Sequence, residues 1–444
     1  MLPPIKKPAG SIWIYLALAL NIFSRLMAES TPIDFGQLQA QNLNLQRQVQ
    51  DQQKQIDELR QRLDALQGSS RAEPSPAPVR TQPEPSVRTE APTSRAAREI
   101  RVSGEAGLGY FSSGPAGAYP NNEFRIDEAR IFLEAAVWKN VYFYTGMEFA
   151  TRESEENNIR VGELYADVED VLTAGRDRRL SLRVGRFNIP FGEEYQYRSV
   201  MTNPLITHSV ADLWGIDEGV QLYGVFGPVT YNLAVQNGGS SARRDYQREK
   251  SLAARVGFQP TKSLALSASA YRSGKLATAE DYASELWFGG GFFTALGPSA
   301  TTPTFQVELY ELDAQWQWEQ GHIKAASGSA RFSDTNTTRN NSRHLHYFSL
   351  ELEQLIVDHL YGAARYGAVR VADGYPLVGL GDFGKYYFAS PPTEELHRLS
   401  LGLGYRFSAA LIWKLEYSWE NGRLINGAER KNEDLFSTEL GLKF

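Results

Sequence analysis

His344 and His346 stand two residues apart, the spacing that puts both imidazoles on one face of a strand. They are a candidate metal pair, but a metal centre needs at least a third ligand and none is evident beside them. A place at the rim of a barrel is the reading that suits them better. The chain has six histidines and no cysteine. The missing thiols exclude disulfide frameworks, thiolate zinc sites, iron–sulfur clusters and cysteine nucleophiles. No histidine has a serine or acid partner marked by sequence, as a hydrolase would need. No phosphate-cradling loop or dinucleotide fingerprint follows a strand-to-helix switch. An enzyme, a cofactor and a bound metal are therefore not expected. The remaining chemistry is that of charge: Arg130, Glu134, Glu163, Asp167, Arg183, Arg255, Arg406, Lys414, Glu416 and Glu439 recur on the polar face of alternating runs. Charged rings around an aqueous bore select ions by sign.

Charges so spaced must be held on strands. From residue 99 onward, short period-two runs bounded by turn residues predict strands near 100–110, 124–138, 140–150, 159–168, 179–187, 219–226, 229–237, 250–259, 263–273, 304–318, 322–332, 343–353, 359–371, 396–407, 410–420 and 434–444. Their length suits the roughly 9–11 residues of a tilted strand crossing hydrocarbon. Every other connection is long (111–123, 151–158, 188–218, 238–249, 274–303, 333–342, 372–395 and 421–433), and the links between are tight or moderate. Outer-membrane barrels show that asymmetry of turns and loops, whereas a soluble sandwich has no reason to sort loop length by parity. The faces agree: Leu411, Trp413, Leu415, Tyr417 and Trp419 oppose Lys414, Glu416, Ser418 and Glu420. The fold class expected is all-β, a 16-stranded antiparallel transmembrane β-barrel over 99–444, preceded by a short α-helical coiled coil. No stretch after residue 28 holds about 18 consecutive apolar residues, so helical spans are excluded. The net charge of −6 argues against a nucleic-acid partner.

The first 98 residues read as an address, a rod and a spacer. Lys6 and Lys7 precede the apolar run Ile12–Leu20 and a small residue at Ala28, the order of a signal peptide over 1–28. Residues 37–67 carry a heptad register, with Asn42, Val49, Ile56 and Leu63 at a and Leu38, Leu45, Gln52, Leu59 and Leu66 at d, the polar Asn42 and Gln52 being able to fix its register. Such a stripe is buried when helices wrap one another, which predicts a periplasmic coiled coil. Residues 68–98 hold six prolines and no periodicity, an extended linker. Rod and linker together would suit a tether to peptidoglycan or another periplasmic partner.

The run Arg183-Val-Gly-Arg-Phe-Asn-Ile-Pro-Phe-Gly192 with Glu-Glu-Tyr behind it, and Trp214-Gly-Ile-Asp-Glu-Gly-Val-Gln-Leu222, resembles the phosphate-selective porin O/P family, as does the arginine-bearing strand Arg125–Val137. The resemblance covers 99–444. It implies a trimeric outer-membrane porin in contact with outer-membrane lipid, passing small hydrophilic solutes or ions by passive diffusion. It also implies a third loop, here 188–218, folded inward to narrow the channel, and by its name a preference for phosphate. The residues of 188–218 depart from that preference. Glu193, Glu194, Asp212, Asp217 and Glu218 stand against Arg198 alone, with His208 between, a formal charge of −4. The constriction expected from this loop is Glu193, Glu194, Arg198, His208 and Asp212, facing a pore wall of the alternating charges named above. Residues 99–444 carry 34 basic and 43 acidic side chains, after the 12 and 9 that precede residue 99. Weak or cation-leaning selectivity follows from that balance.

Overall fold

Alternation along each run becomes a single closed wall. The computed structural model describes residues 100–150, 159–175, 178–238, 248–277, 302–334 and 341–444. The expected signal peptide, coiled coil and linker lie outside the described residues. In chain order the strands are β1 (Ile100–Ser113), β2 (Glu123–Trp138), β3 (Val141–Ala150), β4 (Arg160–Thr173), β5 (Arg178–Asn188), β6 (Ile216–Phe226), β7 (Val229–Gln236), β8 (Ser251–Phe258), β9 (Leu264–Arg272), β10 (Leu276–Ala277), β11 (Thr304–Trp318), β12 (Gly321–Asp334), β13 (Arg343–Val357), β14 (Leu360–Tyr375), β15 (Thr393–Ser408), β16 (Leu411–Leu424), β17 (Glu429–Arg430) and β18 (Leu435–Lys443). β10 and β17 are two-residue pieces paired to β11 and β16; the other sixteen form the wall. Each wall strand pairs antiparallel with its neighbours, and β1 closes on β18 from Glu105↔Lys443 to Ser113↔Leu435. All sixteen expected strands are present, several longer at their ends. The links near 169–178 and 354–358, expected to be of moderate length, are short turns because β4 runs to Thr173 and β13 to Val357. Asn140 and Gly227 turn two of the hairpins at φ 56° and 60°, backbone that asparagine and glycine tolerate.

The wall keeps its apolar residues outside. Leu399, Leu401 and Leu403 on β15 are 41–44% exposed, and Trp413, Tyr417 and Trp419 flank them on β16. An apolar band edged by aromatic rings is how such a barrel meets hydrocarbon. The inner face differs from the uniformly polar bore expected. Phe305, Val307, Leu309, Ala330, Phe332, Leu345, Val369 and Val371 on β11–β14 point inward and are buried with Phe187, Ile189, Phe191 and Leu213. These positions are apolar because a segment of the chain, and not water, covers them.

Candidate functional site

That segment is loop 3, residues 189–215, joining β5 to β6. It departs at Ile189-Pro190-Phe191-Gly192. Gly192 sits at φ +70°, a conformation that glycine adopts without strain, and its N–H donates to Ser269 Oγ of β9 at 3.0 Å. Glu193 then pairs with Arg255 of β8. The Tyr197 hydroxyl lies 3.4 Å from Gln315 Oε1 of β11, and Lys324 Nζ of β12 stands 3.8 Å from its ring centre. Burial pushes the Tyr195 hydroxyl up to about 12 and raises that of Tyr197, so both remain neutral.

The loop continues to the far side of the barrel. Ser199 donates to Glu105 of β1. Lys414 Nζ of β16 donates to the carbonyls of Val200 at 3.0 Å and Leu205 at 3.1 Å, while pairing with Glu439 at 2.7 Å. Glu416 Oε2 accepts the N–H groups of Ile206 at 2.6 Å and Thr207 at 2.8 Å. Its Oε1 accepts the hydroxyls of Thr207 at 2.5 Å and Ser418 at 2.6 Å. Arg365 of β14, paired with Glu351, donates to Thr207 O at 2.6 Å and Asn203 Oδ1 at 2.8 Å. Arg398 of β15 donates to His208 O at 3.2 Å. Four inward glycines receive the loop's apolar side chains. A Cβ on Gly441 or Gly107 would stand 2.6 or 3.3 Å from Val200, one on Gly402 2.5 Å from Leu205, and one on Gly367 2.5 Å from Val210. Gly402→Leu should therefore displace Leu205. Overpacking of this kind costs about 1–3 kcal/mol, and a lowered unfolding midpoint in detergent with the barrel still assembled is the expected result.

The expected constriction residues come together in pairs. Arg198 and Asp212 form an ion pair, the guanidinium lying 4.7 Å over the Trp214 ring. His208 Nδ1 is 3.3 Å from Asp212 Oδ2, and its Nε2 is 3.7 Å from Glu128 Oε1 of β2. Glu194 turns back to accept the Ser209 N–H at 2.8 Å, so it braces the loop. Glu193, Glu194, Arg198 and His208 also line a space against Asp313, Lys324, Glu351 and Arg365.

Every expected pore-wall residue faces inward, but they divide into two groups. Lys414 and Glu416, expected to line water, are 1% exposed, as is Glu439. Loop 3 covers them, and they serve as its anchors. Arg255 is also engaged by the loop, and Arg406 lies 4.1 Å over the Tyr361 ring and 3.1 Å from Glu353. The second group lies on β2–β5. Arg130 Nη2 is 2.6 Å from Glu128 and 3.2 Å from Glu105, and Glu134 shares its face. Arg183 pairs with Asp167 at 2.9 Å and stacks 4.1 Å over Tyr165. Glu163 Oε1 accepts the Asn188 N–H at 3.2 Å. Phe132, Tyr144 and Tyr165 stack beside them at centroid distances of 6.2 and 4.9 Å. Glu105, Glu128, Arg365 and Arg398 were not singled out by sequence reading, although strand parity alone places all four on the inner face.

His344 and His346 lie with ring centres 4.4 Å apart on the outward face of β13. Among the described residues no group of three or more His, Cys, Asp or Glu side chains is placed to hold a metal.

No family model and no curated protein sequence matches the chain. Solved structures do. The outer membrane channel DcaP of Acinetobacter baumannii superposes with TM-score 0.53 at 11% identity, over 79% of this chain and 99% of that one. A loop L8 deletion mutant of OmpT, an outer membrane protein of Vibrio cholerae, gives 0.50 at 12% identity, over 79% and 100%. The trimer form of OmpT gives 0.50 at 12% over the same shares. At such identities the likeness is one of fold: this chain has the closed sixteen-stranded barrel of outer-membrane channel proteins.

Proposed function

We propose that the protein is an outer-membrane porin through which small hydrophilic solutes or ions diffuse passively, with loop 3 as the constriction. The observation that carries this reading is the seam of hydrogen bonds fixing Ile206 and Thr207 to Glu416, on the far side of the barrel from the strands where the loop begins. A loop pinned there fills part of the bore and leaves the wall of β2–β5 to border the path. Charges along that path are Arg101, Arg130, Arg160 and Arg183 against Glu105, Glu128, Glu134, Glu148, Glu163 and Asp167, an acidic excess that favours cations over phosphate. No bond chemistry is assigned to the barrel. The likeness to a channel fold and the trimer form of one neighbour support a homotrimer in the outer membrane; the heptads and prolines of residues 37–98 suit a tether to a periplasmic partner or peptidoglycan.

Planar-bilayer recording tests the reading. Discrete conductance steps from pure protein are expected, with a reversal potential in a salt gradient at neutral pH near zero or on the cation side. No ion-permeable steps would refute the porin, and a strong preference for phosphate would refute the charge assignment.

A further inference from the structure

Loop 3 does not lie flat on the wall throughout. Beneath Glu193, Tyr197 and Asn203 it roofs a cavity whose floor is the inner face of β11–β13. The floor is low because its residues are small: Ala326 of β12 stands directly beside Ser349 of β13. Asp313 of β11 is the cross-strand partner of Ala326, and Lys324 of β12 is the partner of Gln315 and of Glu351. Asp313 and Lys324 are therefore diagonal neighbours, with Cα atoms about 7–8 Å apart. Among the described residues they form no ion pair with each other, and both line the cavity.

The two ends of the cavity carry opposite excess charge. At the acidic end Asp313 accepts from Ser267 Oγ at 2.9 Å, and Glu311, two residues earlier on the same face, accepts from the Tyr347 hydroxyl at 2.7 Å. Arg255, the cation beside both, is paired with Glu193 of the loop. Three carboxylates thus share one guanidinium, and a proton held between Glu311 and Asp313 would still leave this end negative. Glu194 on the roof adds a further carboxylate, bonded to Ser209. At the basic end Arg365 and Lys324 flank Glu351. Arg365 is fully engaged, with Glu351, Thr207 O and Asn203 Oδ1. Lys324 is not: its Nζ stands 3.5 Å from Glu351 Oε1, an oxygen that His322 also approaches at 3.4 Å. One carboxylate there serves two permanent cations. Arg198 and His208, at the edge of the loop, are matched by Asp212.

We propose that this cavity binds a zwitterion of dipeptide size, its ammonium on Asp313 and its carboxylate on Lys324. The inference rests on the reading of the bore as a passage for small hydrophilic solutes, and it names a class of solute that the passage retains. Charge-assisted hydrogen bonds hold the solute at both ends. Gln315 and Ser349, which line the cavity as well, suit its peptide group. Spacing supplies the selection. A single α-amino acid carries its two charges too close together to reach both ends. A solute with one charge meets its partner at one end and a like charge at the other.

Ligand-observed saturation-transfer NMR on the full-length protein in detergent, at neutral pH, provides the test. The probes are diglycine, glycine, glycylglycinamide (ammonium only) and N-acetyldiglycine (carboxylate only), and bilayer conductance of the wild type is recorded in parallel. Diglycine should bind about tenfold more tightly than any of the other three, the scale of one charge-assisted hydrogen bond. Asp313→Asn should weaken diglycine to the same extent without weakening N-acetyldiglycine. Lys324→Gln should weaken diglycine likewise without weakening glycylglycinamide. Equal affinity for all four probes would overturn the site, and so would a capped form that binds as tightly as diglycine. Two variants that each weaken every probe alike would also overturn it, because they would mark a distorted cavity and not a pair of charge contacts. Absence of binding beside normal conductance steps would refute the site and leave the porin reading intact. Binding in the expected order without conductance steps would support the site and refute the porin.

Discussion

Glu416→Ala is expected to raise single-channel conductance severalfold and to add current noise, in a protein that still assembles as a barrel. The carboxylate lies 1% exposed and accepts four hydrogen bonds, three of them from Ile206 and Thr207. Alanine leaves two backbone N–H groups buried without acceptors, at about 1–3 kcal/mol each. The loop escapes that penalty by lifting into water, where both groups are solvated. A bias on the order of 3 kcal/mol changes the lifted population by about two powers of ten. Lys414, Arg365 and Tyr361 still hold neighbouring carbonyls, so the loop should fluctuate and not leave the bore outright. Glu416→Gln keeps one acceptor oxygen for the two N–H groups and should fall between the two. Wall strands β15 and β18, which flank β16, pair through backbone groups that the substitution does not touch. Conductance, noise and solute size cutoff all equal to the wild type would show that this anchor does not set the passage.

Strand positions were legible because a barrel wall imposes period two on every strand, and outward Leu399, Leu401 and Leu403 leave no other side for Arg398 and Ser400. The third loop was also legible as a long, acidic insertion. Its seating was not. Lys414 and Glu416 read as lumen charges from the alternation of β16, and nothing in that strand tells that residues some 210 positions earlier cover them. Long-range contacts of this kind leave no local period. The trace they did leave is at Gly107, Gly367, Gly402 and Gly441, inward positions without a side chain where the loop is received. Glycine weakens a strand and often marks a close approach by other parts of the structure. Inward glycines opposite a long loop are thus the signal that alternation by itself passes over. The apolar inner faces of Phe305, Val307 and Leu309 belong to the same oversight, since they look like departures from the pattern until the loop is laid on them.

Arg130→Ala is expected to raise the cation-to-anion permeability ratio about fivefold at 0.1 M salt, the largest selectivity change that one wall substitution should give. Arg130 is the direct partner of Glu105 on β1 and of Glu148 on β3, and its guanidinium also holds Glu128. Removing it leaves three carboxylates together on the wall, two of which touch loop 3 through Ser199 and His208. One unit charge at 4 Å is worth about 1 kcal/mol even in a water-like dielectric, which sets the fivefold scale. At 1 M salt the screening length falls to about 3 Å and the shift should largely vanish. Lys324→Ala removes a cation on the other side of the loop, beside Tyr197 and 3.5 Å from Glu351. If ions pass along β2–β5, that substitution should move the reversal potential much less. A larger shift from Lys324 than from Arg130 would place the conducting path in the space bounded by Asp313, Glu351 and Arg365. A shift toward anions in Arg130→Ala would contradict the acidic wall itself, because no rearrangement of the three carboxylates creates positive charge there.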